Sequence, residues 1–297
     1  MSKAKLKQLI ERRINNSGMI ETGIEGVQIF KITDPISCAP AVYEPSITAI
    51  VCGGKEAILE GDKHTYSSNR YICCPMSIPI EAGTPDSSPA NPLIGAYISL
   101  DTQLMTELSL QIDSSINSIH ARKNASGTPA LQTASWSEEF CDALYRLLLL
   151  SENPADSAIL AKSRLRELYY AVLKGEAGYA FRRAFGVGND MARAIEQLSS
   201  NLTEAVTIED MASKLGMSRA VFHRKFKHAT NMSPIQFVKS MRLNSAAMKV
   251  AEGVNVNVAA MEVGYTSSSQ FSREFKRMFG KSPKQWRQEK AMLTNTI

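Results

Sequence analysis

Apolar and polar positions along the chain fall into three regimes. Residues 3–15 place Leu6, Leu9, Ile10 and Ile14 on one stripe, which predicts a short amphipathic helix. From about 24 to 100 the pattern shortens to runs rich in Ile, Val, Thr and Tyr: Val27–Ile32, Ile47–Cys52, Ala57–Leu59, Tyr71–Cys74 and Leu93–Leu100. Gly53-Gly54 and Gly61-Asp62 supply turn chemistry between them, so this stretch predicts an antiparallel sandwich or barrel. Gly83–Pro92, with three prolines, and Lys123–Ala134 read as loops. From about 101 helical periods dominate, in Ser137–Leu150 and, after Asn153-Pro154, in Ala155–Leu173. Phe140, Cys141, Leu144, Leu147 and Leu148 line one side of the first. Such a stripe packs within its own domain or forms a dimer seam, with Phe140, Leu144, Leu147 and Leu148 as the candidate seam. Glycines 175, 178, 186 and 188 mark a boundary near 185.

Composition adds few constraints. The chain has 297 residues, room for two domains. No apolar run is long enough for a membrane helix, so no membrane partner is expected. The basic start (Lys3, Lys5, Lys7) lacks the apolar core and cleavage site of a signal peptide. Five cysteines without framework spacing fit a reducing cytoplasm, the expected location. Charge is more telling. Residues 193–297 hold 16 of the 34 Lys and Arg but only 8 of the 29 Asp and Glu, leaving 18 against 21 in residues 1–192. A basic C-terminal third on a mildly acidic remainder suggests one domain that meets a polyanion.

That third is internally duplicated. Ala212, Leu215 and Gly216 match Ala260, Val263 and Gly264 at an offset of 48. Phe222, Arg224, Phe226, Lys227, Ser233 and Pro234 match Phe271, Arg273, Phe275, Lys276, Ser282 and Pro283 at 49, and Phe237 is answered by Trp286. Each copy reads as helix, glycine turn, helix. Thr207 and Ser218 are cap signals in the first copy, and Ser267 with Gln270 in the second. Ser233-Pro234 and Ser282-Pro283 each set a capping serine before a proline at the first helical position. A helix, a glycine turn and a helix with basic residues opposite its apolar edge is a helix-turn-helix. The outward residues are Arg219, Ala220, His223, Arg224 and Lys227 in the first copy, and Ser268, Ser269, Ser272, Arg273 and Lys276 in the second.

Residues 193–293 resemble the DNA-binding domain of the AraC/XylS family of bacterial transcription regulators. The second half carries the family signature at Gly264, Tyr265, Ser267, Ser269, Phe271, Arg273, Phe275, Lys276, Gly280, Ser282, Pro283 and Arg287. The first half matches at Ala212, Met217, Ser218, Phe226, Ser233, Pro234, Arg242 and Leu243. The resemblance implies helix-turn-helix units at about 207–229 and 257–279, joined by a helix at about 234–252. It implies recognition helices about one DNA turn apart, in successive major grooves of double-stranded promoter DNA. Arg219, Ala220, His223 and Arg224 would approach bases in one groove, and Ser268, Ser269, Gln270, Ser272 and Arg273 in the next. Ala220 and the serines are short, so DNA shape would carry part of the specificity.

The N-terminal two-thirds resembles the family's N-terminal domain through Tyr43-Glu44-Pro45-Ser46-Ile47, Cys52-Gly53-Gly54-Lys55, Gly61-Asp62, Tyr66 and Pro75–Pro79. This implies a cupin-like barrel at about 24–100 with helices at about 101–180, which senses a small molecule or dimerises. The expected fold is α+β: an N-terminal antiparallel β-barrel with helices over 1–180, and an all-α DNA-binding domain over 186–293. The expected partners are promoter DNA, a small-molecule effector, a second copy of the chain and, for an activator, RNA polymerase. A regulator controlled by its abundance or a protein partner is the alternative. Tyr43, Cys52, Tyr66, Tyr71 and Cys73 are the candidate pocket residues, since they offer aromatic and polar groups together. Alternation along a strand allows only one of Cys73 and Cys74 to face a cavity.

Cupins also raise an enzyme reading, but a metal cupin needs two or three histidines with a carboxylate. This region has His64 and His120 without H-x-H spacing. No Ser, His and Asp arrangement has motif context and no phosphate-binding glycine loop is present, so no catalytic residue, metal or cofactor is expected.

Overall fold

The computed structural model describes residues 3–68, 70–115, 130–185, 190–203 and 207–294. Helix α1 (Lys3–Glu11) precedes strands β1 (Gly18–Glu21), β2 (Val27–Ile32), β3 (Ile36–Tyr43), β4 (Ser46–Cys52) and β5 (Gly54–Leu59). Strands β6 (Asp62–Ser67), β7 (Arg70–Cys74), β8 (Ile78–Thr84) and β9 (Leu93–Ser99) follow. Helix α2 (Thr102–Ser115), strand β10 (Gln132–Ser135) and helices α3 (Glu138–Leu149), α4 (Pro154–Lys174) and α5 (Gly178–Phe185) complete the N-terminal half. The expected barrel is not one closed sheet. Six strands in the order β1-β2-β9-β4-β7-β10 face four in the order β3-β8-β5-β6, all pairings antiparallel. β10 begins inside the stretch read as a loop from Lys123 to Ala134 and ends one residue beyond it; 123–129 lie outside the described residues, as does His120.

The inner strands β4, β7 and β9 of the six-stranded sheet are covered on both faces, which is why they read as largely apolar runs. Ile47, Ala49, Tyr71, Cys73, Ile94, Ala96 and Ile98 point into a cluster with α1, α3 and α4. Phe30, Ile50, Ile72, Cys74 and Leu93 point the other way, against Tyr66, Ile78 and Ile80 of the four-stranded sheet. Gly95 leaves room for its neighbours in the same sheet: a Cβ there would meet the Phe30 ring of β2 at 2.6 Å and the Ala49 carbonyl of β4 at 2.3 Å.

The stripe on α3 is buried within the chain itself. Phe140, Leu144 and Leu147 are fully buried and Leu148 is 1% exposed. Phe140 stacks on Tyr71 with ring centroids 4.0 Å apart. The seam expected from Phe140, Leu144, Leu147 and Leu148 is therefore corrected: the sheet, α1 and α4 already cover this stripe. Burying each such side chain stabilises the domain by about 1.5–3 kcal/mol.

The C-terminal half is all helical: α6 (Asp190–Ser200), α7 (Ile208–Lys214), α8 (Arg219–Thr230), α9 (Pro234–Ala251), α10 (Val256–Glu262), α11 (Ser268–Phe279) and α12 (Pro283–Thr294). Helix α9 lies against β3 and β8, so the long connecting helix touches the four-stranded sheet.

Candidate nucleic-acid interface

Both copies of the C-terminal repeat fold by the same local rules. In the first, Thr207 caps α7 and the chain turns at Gly216, whose φ of +61° suits a residue without Cβ. The Met217 N–H donates to the Ala212 carbonyl at 2.9 Å, closing the turn. In the second, Asn255 caps α10, Gly264 turns at φ +87°, and the Tyr265 N–H donates to the Ala260 carbonyl at 3.0 Å. Ser218 and Ser267 cap α8 and α11, accepting from the backbone N–H of Val221 and Gln270. Each of these helices then ends on a left-handed residue, Asn231 at φ 66° and Gly280 at φ 74°.

The apolar edges are equivalent too. Phe222 and Phe226 are fully buried, and Phe237 stands edge-on to Phe226 at 5.3 Å. Phe271 and Phe275 are fully buried, and Trp286 stands edge-on to Phe275 at 6.1 Å. Ser233 and Ser282 open the next helices, each N–H donating to Oε1 of the glutamine three residues on, Gln236 and Gln285.

With the phenylalanines turned inward, the opposite faces are open. Arg219, Ala220, Arg224 and Lys227 are exposed on α8, and Ser268, Ser269, Gln270, Arg273 and Lys276 on α11. His223 and Ser272 are half-buried, and His223 Nε2 is buried with no hydrogen-bond partner among the described residues. Arg219 is held by Glu209 of α7 at 2.7 Å, a solvent-exposed pair that water screens strongly. Exposed Lys225 and His228 add to the basic edge of α8 beyond the residues the repeat singles out.

The N-terminal candidates separate by face. Tyr66 is fully buried between the sheets and Tyr43 packs against the same cluster. Each has a buried hydroxyl with no hydrogen-bond partner among the described residues. Tyr71, Cys73 and Cys52 belong to the other face, against the helices, so the structure does not bring the five together. For Tyr71 and Cys73 the reason is the pleat, which alternates side chains across β7. A register shift between Ile50 and Cys52 breaks the same alternation in β4. Cys74 takes the inner place, its thiol donating to the carbonyls of Met76 at 3.0 Å and Ala130 at 3.3 Å. Burial pushes the Cys73 and Cys74 thiols well up. Among the described residues no group of three or more His, Cys, Asp or Glu is placed to hold a metal ion. No helix among them is long and apolar enough to cross a membrane.

Residues 23–180 match the family described as AraC-type transcriptional regulator N-terminus, and residues 211–289 match a helix-turn-helix domain family. The raffinose operon transcriptional regulatory protein RafR of Pediococcus pentosaceus is 29% identical over 145 residues, 48% of this chain and 52% of its own length. The RCS-specific HTH-type transcriptional activator RclR of Escherichia coli is 34% identical over 99 residues, 33% of this chain and 35% of its own. The matches thus span about half or less of these relatives' lengths. Among solved structures, ToxT of Vibrio cholerae with an unsaturated fatty acid bound superposes with a TM-score of 0.53 at 14% identity. That alignment covers 93% of this chain and 96% of ToxT, and at this identity it speaks for the fold. With more than half of its length in the N-terminal family and a duplicated helix-turn-helix behind it, the chain belongs to the AraC-type transcriptional regulators.

Proposed function

We propose that the chain is a sequence-specific DNA-binding regulator that sets α8 and α11 into successive major grooves of a promoter. The observation that carries this reading is the pair of equivalent, serine-capped helices with basic, solvent-exposed faces. Lys227 and Lys276 neutralise phosphates, which fixes register. Arg224 and Arg273 occupy equivalent positions and have the fork geometry to read guanine. Arg219, Ala220 and His223, with Ser268, Ser269, Gln270 and Ser272, fill the remaining groove-facing positions.

The N-terminal half tunes this activity through a small molecule. The unpartnered hydroxyls of Tyr43 and Tyr66 between the sheets favour this reading, because buried polar groups ordinarily have partners. They suit an effector that offers hydrogen-bonding groups on an otherwise apolar body. ToxT, solved with a fatty acid, is a fold neighbour that holds a small molecule. The protein acts in the cytoplasm, catalyses no reaction and works as a homodimer whose contacts lie outside the α3 stripe. As an activator it also meets RNA polymerase.

The test is selection of duplexes from a randomised pool by the full chain, followed by anisotropy titration. A bipartite site bound tightly by wild type, and weakened by either Arg224→Ala or Arg273→Ala, is expected. A chain that retains no preferred sequence would refute the reading.

A further inference from the structure

Two recognition helices read one duplex only if their separation and relative rotation match the DNA. The two units touch at the glycine turn of the second. A Cβ on Gly264 would meet the Leu202 carbonyl at 2.6 Å and the Thr203 Cα at 3.0 Å, both in the turn that follows α6 in the first unit. The glycine turn of the second unit therefore rests on the backbone of the first. Arg242 of α9 secures this contact: its Nε–H donates to the Leu202 carbonyl at 2.8 Å. Its guanidinium also flanks Gly264, 3.2 Å from where a Cβ would stand.

Three residues earlier on α9, so on the same face, Lys239 pairs with Glu274 at 3.2 Å. Glu274 lies on α11 itself, and it also accepts from the Tyr265 hydroxyl at 2.9 Å. Burial pushes the Glu274 carboxyl up, but the hydrogen bonds from Tyr265, Lys239 and Gln270 outweigh that and hold it below its ordinary range. Both cations are thus turned toward protein partners, one to each unit.

We infer that Arg242 and Lys239 are positioning residues that fix the spacing between the two recognition helices, and so set the half-site spacing the protein accepts. The inference rests on the two-groove reading. It differs from phosphate contact in what it predicts. A phosphate-binding cation contributes to every site alike. A positioning cation contributes only where spacing is under test.

The experiment uses the full chain and a duplex selected by the wild type, together with the same duplex carrying one base pair inserted or deleted between the half-sites. One inserted base pair moves a half-site by about 3.4 Å along the axis and about a tenth of a turn. Wild type is expected to lose roughly tenfold or more on either altered duplex, as for misplacing one recognition helix. Arg242→Gln and Lys239→Gln should each shrink that penalty severalfold, with unchanged circular dichroism. Glu274→Gln, which keeps the Tyr265 hydrogen bond but removes the charge, should shrink it in the same direction. Equal weakening on all three duplexes, with a flatter salt dependence, would overturn the inference in favour of phosphate contact. A lowered melting temperature with the full spacing penalty intact would overturn it in favour of a merely structural role. A wild type that selects a single half-site would overturn the two-groove reading itself, and this inference with it.

Discussion

Arg224 and Arg273 stand at equivalent positions of the two units, both exposed and both one residue after a half-buried partner, His223 and Ser272. Replacing either by alanine should cost about 1–3 kcal/mol on the selected site and relax preference at one base position. Competition titrations against single-base variants would read both effects. Lys227→Ala should instead weaken all sequences alike and lower the slope of log affinity against log salt by about one. At the same scale, burial holds Cys73 and Cys74 neutral at ordinary pH. A raised thiol pKa leaves little thiolate below it, so neither cysteine should react with a disulfide reagent at pH 8 until the chain unfolds. Peptide mapping after labelling native and denatured protein checks this. Rapid native labelling of Cys74 would contradict its placement between the sheets.

At the scale of elements, the caps and the stripe make opposite kinds of demand. Asn231 and Gly280 hold the same left-handed position at the ends of α8 and α11. Asn231→Gly should therefore be neutral or slightly stabilising, whereas Gly280→Val should destabilise by about 1–2 kcal/mol. Urea titrations of the two variants give the comparison. Leu144→Arg places a charge in a fully buried site and should unfold the N-terminal half, by about 3–5 kcal/mol. A folded Leu144→Arg monomer would restore the seam.

The legibility of the sequence divides along the same line. Val27–Ile32 and Tyr71–Cys74 could be read because their apolar residues pack on both faces of the sheet, which makes the runs rich in Val, Ile, Phe, Tyr and Cys. The strands that escaped reading belong mostly to the thinner sheet. β6 is an edge strand with the polar run Asp62-Lys63-His64-Thr65, and β3 is the other edge, where Pro40 is tolerated. β8 contains Pro79, which lies outside the stretch Glu81–Gly83 that pairs with β5. In the C-terminal half, caps, glycine turns and paired phenylalanines state the elements twice, once in each copy of the repeat. The contact between Gly264 and Leu202 could not be read, because it joins two copies whose sequences describe only themselves.

In the whole molecule, the two halves share a core. One continuous cluster runs from Ile50 and Tyr66 between the sheets to Phe222, Phe226 and Phe237 of the first unit, with α9 against β3 and β8. The second unit has its own cluster around Phe271 and Phe275. A ligand that binds between the sheets should therefore stabilise the first unit along with the sandwich. Hydrogen exchange should show the α8 amides slowing with those of β7 when a stabilising compound is added. The expected gain is about 2.7 kcal/mol at a hundredfold excess over its Kd. Slowing confined to the strands would show that the shared cluster transmits nothing.

A bipartite site requires both units to act on one duplex. Hydroxyl-radical footprinting of the full chain on its selected duplex tests this most directly. Two protected windows on one face, centred about 10 base pairs apart, are the predicted result. A single window, or two windows on opposite faces of the helix, would contradict it.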